Sequence, residues 1–152
     1  MKIGLGKDLI CSNIYDADDK SRKKIYSRLE VFLKSLNLKD IKCVGKYKNG
    51  LSMDFCEICS EMNILSEVVK PYEENDSSWP APIKNKFKKI LKKSKNINLL
   101  CDGGFNPKKI KEMDSYVEKM CDLLINVEVI NNRVIFTLVR KNEHKIFESL
   151  IH

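Results

Sequence analysis

Proline and glycine are scarce, at four and six of 152 residues, which excludes collagen-like and low-complexity chains. No apolar run approaches the ~18 residues of a membrane-spanning helix. The opening stretch MKIGLGKDLICSNIYD also lacks the apolar centre of a secretory leader. Histidine occurs only at positions 144 and 152, so imidazole-based catalysis and His-rich metal sites have little to draw on. His144 reads as a solvated residue, and no serine, histidine and aspartate fall into a triad pattern. Neither a dinucleotide fingerprint nor a phosphate-binding P-loop motif is present, and no cofactor is expected. What remains is 43% hydrophobic, enough for one sizeable core. The expectation is a soluble, cytoplasmic, single α+β domain over residues 1–152, built as a mostly antiparallel sheet with packed helices.

Charge is concentrated. Ile83 to Lys95 reads IKNKFKKILKKSK, with no acid and seven lysines, which match the whole formal net charge of +7. This segment is suited to tracking phosphates or steering an acidic partner. Recognition of single strands, however, calls for aromatics between the charges. The only one here, Phe87, falls on the apolar stripe with Ile83, Ile90 and Leu91. Just before it, PYEENDSSWPAP combines three prolines, the acids Glu73 and Glu74, and the only tryptophan, Trp79.

The six cysteines are Cys11, Cys43, Cys56, Cys59, Cys101 and Cys121. With a core and no leader, they read as reduced packing residues rather than a disulfide framework. Cys56-Glu-Ile-Cys59 has the spacing of a redox pair, for which a helix N-terminus would lower a thiol pKa. Its acidic and bulky central residues argue against that chemistry, and Cys59 lies on an apolar stripe. A structural zinc site needs four ligands. One CxxC, single cysteines at 43 and 101, and two distant histidines do not supply them, so no metal is expected.

Periodicity predicts a strand within 3–15, clearest at Asp8–Tyr15, then a helix over 19–37 with Ile25, Leu29, Phe32, Leu33 and Leu36 on one face. A hairpin is expected next, joining Ile41–Tyr47 to the stretch from Leu51 through the loop 48–50, with Cys43 opposite Phe55. A helix follows from about Asp54 to Val69, Asp54 and Glu57 forming a capping pair. After the loop come the lysine helix 83–95, a short strand 98–101 and the turn Asp102-Gly103-Gly104. That turn offers backbone N–H groups to an anion, or needs positive φ only to join strand to helix. A helix started by Asn106 and Pro107 runs to about Leu124. Strands 125–130 and 133–139 form a hairpin pairing Val129 with Val134 and Val127 with Phe136, and a last helix covers 143–151.

The stretch from Trp79 to Met120 resembles small bacterial immunity proteins of polymorphic toxin and contact-dependent inhibition systems. The similarity lies in a Trp-Pro pair, an amphipathic helix, a strand ending in Cys101-Asp102-Gly103, and a proline-started helix with Tyr116. The resemblance implies a compact α+β toxin inhibitor that blocks its cognate toxin by direct binding and catalyses nothing. The expected contact surface is Lys84, Lys88, Lys92 and Lys95 with Glu73, Glu74, Trp79 and Asp102. A nucleic-acid-binding protein using the same lysines is the alternative, and a thiol oxidoreductase at Cys56 and Cys59 a further one.

Overall fold

The computed structural model describes residues 1–6, 19–37, 39–131, 133–140 and 143–150. Strands and helices alternate over most of the chain. They are β1 (Lys2–Leu5), α1 (Asp19–Ser35), β2 (Lys42–Lys46), α2 (Leu51–Glu61), β3 (Leu65–Lys70), α3 (Ala81–Leu91), β4 (Ser94–Leu99) and α4 (Pro107–Met120), followed by β5 (Leu123–Ile130), β6 (Arg133–Arg140) and β7 (Glu143–Leu150). The strands form one seven-stranded sheet in the order β4-β3-β2-β1-β5-β6-β7. The fold is α+β, but the sheet is mostly parallel rather than antiparallel. β1 pairs in parallel with both β2 and β5, and β3 and β4 continue the parallel run. Only the β5–β6 and β6–β7 pairings are antiparallel. Each helix-containing connection returns the chain to the same edge of the sheet, which dictates parallel pairing.

The chain winds outward through β2, β3 and β4, then crosses back through α4 to place β5 beside β1. α1 and α2 pack on one face around Ile3, Leu5, Ile25, Leu29, Phe55, Ile58 and Phe136, with the rings of Phe32 and Phe136 stacked at 4.5 Å. α3 extends that layer through Phe87 and Ile90. α4 lies on the opposite face, where Met113, Val117 and Cys121 meet Val44 and Val69. Among the described residues no helix is long and apolar enough to cross a membrane.

Several boundaries differ from expectation. Leu51 starts α2, so no hairpin joins 41–47 to 51–55; Gly50, at φ 92°, turns the chain from β2 directly into the helix. The expected helix to Val69 stops at Glu61, where Asn63 adopts φ 58° and the β-branched Val68 and Val69 enter β3. The lysine helix ends at Leu91, which puts Lys95 in β4, and that strand begins four residues earlier than expected. The α4 helix ends at Met120 and β5 takes Leu123 and Leu124. Residues 143–150 are a strand, not a helix, because they complete the antiparallel edge against β6. The strand expected at Asp8–Tyr15 lies outside the described residues. The hairpin register at Val129–Val134 and Val127–Phe136 is as expected. So is the cap of α4, where Asn106 Oδ1 accepts from the Lys109 N–H at 3.4 Å.

Candidate functional site

Parallel strands direct their carboxyl ends, and the loops that follow, to one edge of the sheet, where α/β sheets of this kind hold ligands. Here that edge carries Tyr47–Asn49 after β2, Pro71–Trp79 after β3 and Leu100–Phe105 after β4. The loops after β2 and β3, with α4, line a cavity of about 280 Å³ formed by Tyr47, Lys48, Asn49, Pro71, Tyr72, Asn75, Trp79, Ile110 and Met113. Its walls are mainly aromatic and aliphatic. The Tyr47 ring stacks on Trp79 at 5.0 Å and on Phe87 at 4.4 Å, making a three-ring shelf.

The shelf is fixed by polar contacts at its rim. Tyr47 Oη donates to Asp76 Oδ2 at 2.7 Å, and Lys70 Nζ lies 4.8 Å from the ring centre. Burial pushes the Tyr47 hydroxyl pKa well up, and the Asp76 carboxylate adds to the shift, so the ring stays neutral and donating. Asn75 Nδ2 donates to the Tyr47 carbonyl at 2.9 Å. Its Oδ1 is buried without a hydrogen-bond partner among the described residues. A buried orphan acceptor costs roughly 1–3 kcal/mol, so the loop carries a polar group that nothing described satisfies.

A second cavity, of about 510 Å³, opens between α1 and α3 and is lined by Arg22, Lys23, Tyr26, Ser27, Asp54 and Lys86. Asp54, only 2% exposed, accepts from Arg22 Nε at 3.2 Å and from Lys86 Nζ at 3.1 Å. Lys86 also reaches Glu57 at 3.2 Å, and Tyr26 Oη donates to Glu57 at 2.8 Å. Burial raises the Asp54 pKa, and the neighbouring Lys86 partly offsets that. Asp54 and Glu57 are therefore ion-pair partners of α1 and α3, not caps of their own helix. Among the described residues no three His, Cys, Asp or Glu side chains gather to hold a metal.

The residues singled out from the sequence separate into two groups. Glu73, Glu74 and Asp102 come together: the Glu73 N–H donates to the Cys101 carbonyl at 3.0 Å and the Glu74 N–H to the Gly103 carbonyl at 3.1 Å. All three acids are exposed, beside Phe105, which is 77% exposed and edge-on to Tyr72. Gly103 has φ 84°, and its N–H points to Glu73 Oε2 at 3.5 Å, so a carboxylate occupies the donor an anion would need. Trp79 is half-buried in the aromatic shelf. Lys88 is exposed on α3 and Lys92 just past its end, Lys84 is half-buried, and the side chain of Lys95 lies outside the described residues.

Sequence reading missed Tyr47, Asn75, Asp54 and Lys86. Only Lys86 carried a signal: it stands three residues after Ile83 and four before Ile90, beside the apolar stripe rather than opposite it. Cys56 and Cys59 are both fully buried. The Cys56 thiol is pushed well up, first by its hydrogen bond with Cys43 and then by burial. Compared with known proteins, the chain matches no family model and no curated sequence.

Proposed function

We propose that this is a binding protein without catalysis of its own, which takes a small planar molecule into the aromatic cavity. The observation that carries this reading is the Tyr47–Trp79–Phe87 stack beside a cavity at the carboxyl ends of parallel strands. Flat apolar walls with few polar groups suit a ring that stacks, and pockets of this composition are the usual small-molecule sites. Lys48 and Asn49 at the rim suit a polar substituent.

Trp79 is the chain's single tryptophan, so its indole N–H gives one cross-peak in a proton–nitrogen spectrum. Titration with a panel of planar heteroaromatic compounds should move that peak saturably for some of them, and Tyr47→Leu should abolish the effect. Absence of any saturable shift up to the solubility of the panel would overturn the reading.

A toxin-neutralising role is the second reading, favoured by the exposed cluster of Glu73, Glu74, Asp102 and Phe105. An aromatic anchor ringed by charge, on loops tied to each other by backbone hydrogen bonds, is suited to docking a basic protein surface. It predicts one stoichiometric protein partner, retained after nuclease treatment at two salt concentrations and lost in Phe105→Glu. Nucleic-acid binding has weaker support, because Lys88 and Lys92 stand without an exposed aromatic on α3. Thiol redox chemistry is disfavoured by the burial of Cys56 and Cys59, since reactive thiols are accessible and low in pKa. Five described cysteines, all free, support a reducing cytoplasm as the working compartment.

A further inference from the structure

Two helices connect the aromatic shelf to the charged cavity. Along α2, Met53 packs under the aromatic shelf while its neighbour Asp54 faces the charged cavity. Along α3, Phe87 lies in the shelf while its neighbour Lys86 reaches Asp54 and Glu57. Each helix thus places one residue in the cluster that backs the shelf and the next in the charged cavity, and consecutive helical residues are held about 100° apart by the helix itself.

We infer that Lys86, through its bond to Asp54, is a positioning residue for the aromatic site: it sets the rotation of α3 and with it the angle of the Phe87–Tyr47–Trp79 stack. Burial of Phe87 and Ile90 holds α3 against the body, but apolar contact is non-directional and leaves rotation about the helix axis weakly determined. A charge-assisted hydrogen bond is directional. Lys86 supplies one, at 3.1 Å to Asp54, from the residue next to the shelf, and adds an ion pair with Glu57 at 3.2 Å. Arg22 holds the other side of the Asp54 carboxylate, so the acceptor is itself anchored to α1. The Phe87 ring, inclined 28° to Tyr47 and 21° to Trp79, is thereby kept within 30° of parallel to both.

This inference rests on the aromatic cavity being a ligand site, yet the Trp79 indole reports the stack without any ligand. In the intact chain, Lys86→Met should move the Trp79 cross-peak and weaken binding of the planar probe quinoline by about tenfold through lost preorganisation. Lys86→Arg, which keeps charge and donors, should restore both. Lys88→Met, an exposed lysine on the same helix, should change neither. If Lys86→Met fails to fold, Asp54→Asn tests the same bond with a neutral isostere and should move the Trp79 peak likewise. An unmoved Trp79 peak with unchanged quinoline affinity, in either folded variant, overturns the inference while leaving the cavity as a ligand site. A moved peak in a protein whose wild type binds no planar probe supports the positioning role and removes the ligand reading instead.

Discussion

At the scale of single residues, Gly45 and Cys56 share one space. A Cβ built at Gly45 would stand 2.2 Å from Cys56 Sγ, so β2 approaches α2 closely only because position 45 has no side chain. Gly45→Ala should destabilise the protein by about 1–3 kcal/mol, the usual cost of overpacking a tight interior. Adding Cys56→Ala removes the opposing sulfur and should recover much of the loss, read as the urea midpoint of the double variant against each single one. The buried thiols also set an alkaline limit. Burial raises Cys43 well above the ordinary thiol value of 9.0 and pushes Cys121 up to about 12, while the hydrogen bond with Cys43, and then burial, raises Cys56 well above it. Groups whose folded pKa lies above the unfolded one contribute stability that is fully present below the unfolded value and is lost as pH rises through the folded values. The urea midpoint should therefore fall progressively from about pH 9 upward as unfolded thiols ionise and folded ones cannot. Cys43→Ala should flatten part of that decline.

At the scale of elements, α3 shows how the same helix serves packing and charge. Phe87 is fully buried against Tyr47 and Trp79, whereas Lys88 is exposed one residue later. Phe87→Ala should cost about 3–5 kcal/mol and Lys88→Ala less than about 0.5 kcal/mol, measured by chemical denaturation. The helical stripe of α3 was legible because its apolar residues recur against a polar, mostly lysine face, and α1 and α4 were legible because theirs also recur against polar residues. α2 was not: Leu51 through Cys56 are all buried, so alternation and helical spacing fit them equally well. That ambiguity gave a false strand at 51–55 and, together with Met62, Leu65 and Val69 continuing the stripe, a helix that ran through β3. The available signals were Asn63 at a left-handed position and the Val68–Val69 pair. With β3 hidden, the strand–helix alternation that announces a parallel sheet lost one of its repeats. The candidate site suffered likewise. Trp79 and the acidic loop stood out by composition, but Tyr47 and Asp54 acquire their roles only from contacts 29 and 32 residues away in sequence, with Asp76 and Lys86.

At the scale of the whole molecule, the layers are unequal. Among the described residues, three helices cover one face of the sheet, while on the other α4 alone covers β1, β2 and β3. β1 is central and short, paired on both sides in parallel, and among the described residues α4 is the helix that covers its second face. Lys46, 8% exposed in β2, adds one directional tie to α4 through Asp114 at 2.9 Å. Met113 sits where this cover meets the aromatic cavity, 2% exposed beneath the first turns of α4. Met113→Ala should cost about 2–5 kcal/mol. Because loss of α4 would expose the central strands together, that loss should appear as one cooperative decrease. Hydrogen exchange provides the measurement: amides of Val44 in β2 and Ile125 in β5 should lose protection by the same free energy as the global unfolding midpoint reports. If only α4 amides exchanged faster while the β2 and β5 amides kept their protection, the helix would be a detachable cover rather than part of the folding unit. The aromatic cavity would then have one wall free to move independently of the sheet.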